Sequence, residues 1–374
     1  MQIDGVTENV TGSLPELAAG SAFRFESGSG VLEDPAFWGR VLGGIGRVAL
    51  VTSEQLLLRF PRVVQALGEP LIITVHDGEL AKSLETLTSV YGRLAEAQFP
   101  RTGVLIGLGG GTVTDLTGFV AATWKRGTRL ILAPTTLMGQ VDAALGGKSA
   151  INLPDGKNLV GTIYQPELIV ADRDVLTTLT PRDLRSGLAE IVKCGFIRDP
   201  EILTIVEDAY AAGGSISVRL PVLIERSAQV KLELVDLDEQ DLGVRRYLNY
   251  GHTLGQAVEA ATDFRKVTHG EAVGLGMLFA ARIAELQGKV HDLHEYTREL
   301  LALCGLPSHL PPGLGFQRIW KLMGQDKKAG LPGREFVICT RRGDAELTPM
   351  PDLDVAARAF DSAFQLVRPS SETA

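Results

Sequence analysis

Short apolar runs alternate with longer amphipathic stretches through the first half of the chain. Runs rich in leucine or β-branched residues at Val48–Thr52, Leu71–Val75, Val104–Leu108, Leu130–Ala133 and Leu168–Ala171 predict strands. Between the second and third of these, Leu80, Leu84, Leu87, Val90, Tyr91 and Leu94 recur at helical spacing, which predicts a helix over 79–98 with one buried face. Strands that alternate with helices are the signature of βαβ units, so an α/β N-terminal domain with a parallel-rich sheet is expected. Beyond Thr180 the alternation stops. Helical spacing then runs over 184–197, 218–237, 254–261 and 271–286, and predicts a mostly α-helical C-terminal domain. The boundary falls near Pro181, dividing the chain into 1–181 and 182–374. Pro311, Pro312, Gly313 and Gly315 read as a loop inside the second domain, and 369–374 as a polar tail.

Composition agrees with two domains and narrows the partners. A chain of 374 residues exceeds the roughly 250–300 at which a single core stops growing. With 45% hydrophobic and 22% charged residues it can bury a large core, which excludes disorder over most of its length. The 37 basic against 45 acidic residues give a net charge of −8, which repels nucleic acid and anionic membranes. Cys194, Cys304 and Cys339 form no CxxC pair, so neither a disulfide frame nor a thiolate zinc site is indicated, and a reducing cytoplasm fits. The first residues carry Asp4 and Glu8 without a basic start, and no apolar run approaches the ~20 residues of a membrane span. A soluble, cytoplasmic protein is expected.

Candidate chemistry lies mainly beside glycines. The stretch Gly107-Leu-Gly-Gly-Gly-Thr-Val-Thr-Asp115 follows a predicted strand and opens a predicted helix, so its unpaired N–H groups suit a pyrophosphate, or it is a tight structural turn. It is not the dinucleotide GxGxxG fingerprint, because Thr112 stands where the third glycine belongs. Asp77-Gly-Glu-Leu-Ala-Lys82 also sits where ligands collect in open α/β sheets, although on its own it reads first as a helix start with acids suited to the dipole. His252 and His269 each adjoin a glycine at the start of an apolar helical run, as capping or core histidines or as metal ligands. Glu190, a carboxylate in an otherwise apolar helix, is the candidate third ligand, since an unpaired charge there is costly to bury. Two imidazoles and one carboxylate leave an open position on zinc, as at catalytic sites. Lys148, Lys157, Lys193, Lys231 and Arg245 read as scattered surface charge, or, converging on one cleft, as a site for a substrate bearing both phosphate and carboxylate.

Taken together, these blocks resemble 3-dehydroquinate synthase: Gly109-Gly-Gly with Asp115-Leu-Thr-Gly-Phe-Val-Ala-Ala-Thr123, Pro134-Thr-Thr-Leu137, Val141-Asp with Gly-Gly-Lys148, Gly156-Lys-Asn-Leu-Val-Gly161, Ser186-Gly-Leu-Ala-Glu190, Gly251-His-Thr253 and His269-Gly-Glu271. The resemblance runs from about Val48 to Asp326-Lys-Lys328. It implies a Rossmann-like NAD-binding domain, a helical domain holding a divalent metal (Zn2+ or Co2+), and an active site in the cleft between them. By similarity, Asp77, Gly78, Glu79, Leu80, Ala81, Lys82, Gly110, Gly111, Thr112, Val113, Thr114, Asp115, Thr135, Thr136, Lys148, Lys157, Val175, Leu176, Thr177 and Thr178 contact NAD. Glu190, His252 and His269 are the implied metal ligands. Lys231 and Arg245 are the implied carboxylate binders; Lys148, Asn158, Asn249 and Lys327 or Lys328 surround the phosphate; Asp142 and Lys193 meet the ring hydroxyls. Arg126 resembles the residue that enters the phosphate pocket from a neighbouring subunit, which implies a homodimer.

The family's reaction converts 3-deoxy-D-arabino-heptulosonate 7-phosphate to 3-dehydroquinate and phosphate in the shikimate route, with NAD regenerated and no net oxidation. Two positions depart from its pattern. Gln256 replaces a histidine one helical turn after His252, near the phosphate, where it can donate a hydrogen bond but cannot become cationic. Asp241 stands where glutamate is usual. The alternatives are a cyclase acting on an amino analogue or on sedoheptulose 7-phosphate, a metal-dependent polyol dehydrogenase, which would accumulate NADH, and a non-catalytic NAD-binding regulator. Lys231 and Arg245 argue for a substrate carboxylate, which sedoheptulose 7-phosphate lacks.

Overall fold

A computed structural model describes residues 24–211, 214–325 and 335–364. They fall into two compact units: one runs up to Thr180 and takes in Leu220–Gln240, and the other comprises Pro181–Arg219 and the residues from Asp241 onward. Residues 220–240 thus pack with the first unit, whereas a single cut at Pro181 leaves them in the second.

The first unit is built on a six-stranded sheet. Its strands are β1 (Arg24–Gly28), β2 (Val48–Thr52), β3 (Leu71–Thr74), β4 (Val104–Gly109), β5 (Arg129–Pro134) and, after a hairpin of β6 (Lys148–Leu153) and β7 (Gly156–Ile163), β8 (Leu168–Asp172). The order across the sheet is β1-β8-β5-β4-β2-β3, and all pairs are parallel. In register, Val48 lies opposite Val104, which lies opposite Arg129. Every residue of β4 and β8 is buried, as expected of parallel strands covered on both faces. Leu50, Val51, Leu105, Ile106, Ile131, Ile169 and Val170 make the core, with Val113, Leu116 and Val120 of the helix Gly111–Thr123.

From β2 the chain passes to β3 on one side and then to β4 on the other, so the strand order reverses between β2 and β4. Ligands of open α/β sheets bind outside the strand C-termini at such a point. Both candidate loops, 77–82 after β3 and 110–115 after β4, lie at these C-terminal ends.

Three features of this unit correct the expectation from periodicity. The helix expected over 79–98 is a 3-10 turn at Gly78–Ala81 followed by a helix at Leu84–Glu96. Ser83 ends the turn by capping that helix, its hydroxyl accepting from the Thr86 N–H at 3.1 Å. The edge strand β1 and the antiparallel hairpin β6–β7 were not legible as strands: β7 runs along the surface, with Lys157, Asn158, Leu159, Val160 and Gly161 all exposed, so polar and apolar positions do not alternate in it.

Among the described residues the second unit is helical, with an antiparallel hairpin, β9 (Glu335–Arg341) and β10 (Asp344–Pro349), that periodicity missed. Its centre is the helix His269–Leu286, buried from Ala272 to Ala281 without a polar stripe. Beside it lie the helices Pro181–Ile197 and His252–Ala261. All three begin two or three residues earlier than expected, which makes His252 and His269 first residues of their helices. Residues 311–315 lie in the loop before the helix Phe316–Gln325, as expected. Among the described residues no helix is long and apolar enough to cross a membrane.

Candidate active site

In the second unit, three residues distant in sequence meet. Glu190 lies on the Pro181–Ile197 helix, 1% exposed, and its Oε1 is 3.5 Å from His269 Nε2 and 3.7 Å from His252 Nε2. The three ligand atoms all lie within 4.8 Å of one another. The imidazole rings stand edge to face, 5.1 Å between centroids.

Glycines permit this approach. Gly251 caps the His252–Ala261 helix at φ +81°, and a Cβ there would come within 2.6 Å of the Val273 carbonyl. A Cβ on Gly270 would overlap the Ser186 backbone, while its N–H donates to Ser186 Oγ at 3.0 Å. Thr268 starts the central helix with a capping box, its hydroxyl accepting from the Glu271 N–H and Glu271 accepting from the Thr268 N–H at 2.8 Å. Arg182 holds the other side of Glu271 through two hydrogen bonds of 2.7 and 2.8 Å.

The remaining atoms of the triad are also engaged. His252 Nδ1 lies 3.3 Å from the Tyr250 carbonyl and His269 Nδ1 3.3 Å from Glu259 Oε2. Lys193, 1% exposed, forms an ion pair with Glu190 Oε2. With Nδ1 of each ring occupied, both Nε2 atoms face Glu190 Oε1, and this set of two nitrogens and one oxygen fits a divalent cation. Burial pushes the His269 imidazole down, but the Glu190 and Glu259 carboxylates outweigh it and raise the metal-free group from 6.5 to about 10. That proton must leave before a cation binds, so affinity for metal rises with pH. In the metal-free protein the proton stabilises the fold fully below about pH 6.5, and this contribution is lost as pH climbs through about 10.

In the first unit the two candidate loops and the hairpin are cross-linked. Lys82, nearly buried, pairs with Asp115 and donates to Asn158 Oδ1 at 2.5 Å. Asn152 Nδ2 donates to Glu79 Oε1 at 2.5 Å, Lys157 Nζ lies 3.3 Å from Glu79 Oε2, and the Asn152 N–H donates to the Lys82 carbonyl at 2.8 Å. Burial pushes the Asp115 carboxyl up to about 6, against the opposing pull of Lys82. Thr136 accepts from the Gly139 N–H at 3.0 Å, and the buried Thr135 donates its N–H to the Gly109 carbonyl at 2.9 Å.

Next to these, a π-helical turn at Gly139–Ala143 carries Asp142. Such turns cluster at functional sites. Lys231, from the Leu220–Leu237 helix, donates at 2.6 Å to both the main-chain carbonyl and Oδ1 of Asp142. Buried Gln140 braces the turn by donating to the carbonyls of Pro134 at 3.1 Å and Asp172 at 2.7 Å.

Other expected residues are placed less directly. Ala81, Val113, Thr114, Val175 and Leu176 are buried, so their side chains belong to packing, whereas Leu80 is 73% exposed. Gly110, Gly111 and Thr112 open the helix Gly111–Thr123. Gly78 belongs to the 3-10 turn after Asp77, and Thr177 and Thr178 to a second turn after β8, two strands beyond β4. Lys148 and Arg126 are exposed in the first unit, Asn249 and Gln256 in the second. The expected carboxylate pair is divided, Lys231 in the first unit and the fully buried Arg245 in the second. Lys327 and Lys328 lie outside the described residues, as does the tail 369–374. Sequence reasoning missed Glu259, Tyr250, Asn152 and Gln140. For Glu259 a signal existed, since it follows His252 by seven residues, two turns along the same helix face.

An α/β sheet with a switch-point loop pair, joined in one chain to a helical unit carrying a cluster of two histidines and a glutamate, defines an α/β protein with a candidate divalent-metal site. The chain is similar in structure to ValA (2-epi-5-epi-valiolone synthase) from Streptomyces hygroscopicus subsp. jinggangensis with NAD+ and Zn2+ bound, with a TM-score of 0.82 at 22% identity, covering 97% of this chain and 99% of that one. It is also similar to 2-deoxy-scyllo-inosose synthase complexed with carbaglucose-6-phosphate, NAD+ and Co2+, with a TM-score of 0.80 at 25% identity over 91% and 96%. In sequence, residues 72–186 match the family profile described as 3-dehydroquinate synthase N-terminal, and 187–329 match 3-dehydroquinate synthase C-terminal. A 3-dehydroquinate synthase from Leifsonia xyli subsp. xyli is 46% identical over 294 residues, 78% of this chain and 81% of that protein. The chain belongs to the 3-dehydroquinate synthase family.

Proposed function

We infer that the chain catalyses the family's reaction, conversion of 3-deoxy-D-arabino-heptulosonate 7-phosphate to 3-dehydroquinate and phosphate, as a phosphorus–oxygen lyase with NAD and a divalent cation. The observation that carries this reading is the meeting of Glu190, His252 and His269, drawn from three separate family motifs, within 4.8 Å. NAD with Zn2+ or Co2+ is the cofactor set of the two structural relatives. When bound, the cation supplies electrophilic polarisation and NAD a reversible store for hydride.

The chain's own residues bind, orient and move charge. Asp77–Lys82, Gly110–Asp115, Thr135, Thr136, Lys148, Lys157 and 175–178 are assigned to NAD, and Lys231 and Arg245 to the substrate carboxylate, for which bidentate Arg chemistry is suited. Lys148, Asn158, Asn249, Gln256, and Lys327 or Lys328 are assigned to the phosphate, whose departure cationic and hydrogen-bonding groups favour by stabilising the developing charge. Asp142 and Lys193 are assigned to ring hydroxyls. Holding the opened chain in a reactive pose makes the closing aldol step effectively unimolecular. Arg126 of the partner subunit completes the phosphate site in a homodimer. Cytoplasmic location follows from biosynthetic use of a phosphorylated sugar acid.

Incubation with heptulosonate 7-phosphate, NAD and zinc is expected to release inorganic phosphate and cyclic product in equal amounts, with no net rise in the nicotinamide absorbance band. Accumulating NADH would point to a dehydrogenase instead. Turnover of sedoheptulose 7-phosphate but not the heptulosonate would assign the chain to another cyclase.

A further inference from the structure

The two imidazoles of the metal triad are held by different kinds of group. His252 Nδ1 meets a neutral main-chain carbonyl, that of Tyr250, whereas His269 Nδ1 meets a carboxylate, Glu259 Oε2, each at 3.3 Å. Both histidines are first residues of helices, whose N-terminal partial positive charge disfavours a nearby cation. Glu190, the carboxylate of the triad, shares its charge with Lys193 through Oε2. A divalent cation placed there therefore draws on negative charge from a further acid.

We propose that Glu259 is a positioning residue of the metal centre. By accepting from Nδ1–H of His269 it fixes the tautomer that leaves an Nε2 lone pair for the cation, and its charge offsets the helix N-termini and Lys193. The same face of one helix supplies both the first histidine and the brace for the second, since Glu259 lies two turns beyond His252 on the His252–Ala261 helix. Lys193 complements this by engaging Glu190 Oε2, so that Oε1 is the oxygen turned toward both rings. The proposal rests on the reading of Glu190, His252 and His269 as a metal site, and its test separates the two.

Metal affinity is measured with Zn2+ or Co2+ alone, by competition with a chelator and without substrate, so turnover plays no part. Losing the carboxylate brace of a ligand histidine is expected to cost about 10–100-fold in affinity. Glu259→Ala should show that loss and Glu259→Gln, which keeps an acceptor oxygen but no charge, a smaller one, with the visible spectrum of the Co2+ form altered in both. Thermal unfolding of the metal-free variants reports whether they fold, and if the alanine variant does not, the glutamine variant decides. Either folded variant binding metal as tightly as the wild type would overturn the proposal. His269→Ala binding metal normally would overturn the metal centre itself, whatever Glu259 does.

Discussion

Lys82 is nearly buried and holds both Asp115 and Asn158. Its amine is the link between the loop after β3, the helix after β4 and the hairpin. Because burial raises the Asp115 carboxyl to about 6, that group is largely ionised at neutral pH only with Lys82 beside it. Lys82→Met should cost about 1.5–3 kcal/mol at about pH 8, the range of a hydrogen bond to a charged group. At about pH 5 the carboxyl is protonated and needs no cationic partner, so the penalty should shrink. Urea unfolding at the two pH values checks this, and an equal penalty at both would remove Asp115 from the explanation.

At the scale of elements, the meeting of Glu190, His252 and His269 depends on how closely the central helix His269–Leu286 approaches its neighbours. Gly270 and Gly274 sit one turn apart on that helix and predict opposite outcomes. A Cβ at position 270 meets rigid Ser186 backbone, whereas one at 274 meets only Leu301 side-chain atoms at 3.6 Å, an ordinary contact. Gly270→Ala should therefore destabilise by about 1–3 kcal/mol, as overpacking does, and weaken metal binding by displacing His269. Gly274→Ala should be neutral or stabilise by up to about 1 kcal/mol, because alanine loses less backbone entropy in a helix. Denaturant unfolding and zinc titration of the pair distinguish a helix placed by close contact from one that merely lacks side chains.

For the whole molecule, the homodimer reading makes a quantitative forecast. Arg126→Ala and Glu190→Ala should each be inactive, the first lacking a phosphate contact donated across subunits and the second a metal ligand. Refolded together in equal amounts, they form mixed dimers in which one site has intact Glu190 and receives Arg126 from the other subunit. Half of a statistical population is mixed and half of its sites are complete, so about a quarter of wild-type activity should return under two-fold symmetry. No recovery in a mixture shown to contain mixed dimers would place Arg126 in its own subunit's site.

The parallel strands were legible because a strand buried on both faces needs an uninterrupted apolar run, as Val104–Leu108 and Leu168–Ala171 have, and that requirement is local. The cluster of Glu190, His252 and His269 was legible in residue type, from histidines beside glycines and a carboxylate inside an apolar helix. The hairpin β6–β7 was not, because its surface strand carries no hydrophobic alternation and is secured by polar contacts such as Asn152 to Glu79 and Lys82 to Asn158, between segments far apart in sequence. Nor was the docking of Leu220–Leu237 beside the π-helical turn, where Lys231 finds Asp142 across 89 positions of chain. Local pattern determined which segments form and which chemistry they carry. Tertiary packing alone decided which polar groups meet, because hydrogen bonds and ion pairs depend on distances in space that periodicity does not encode.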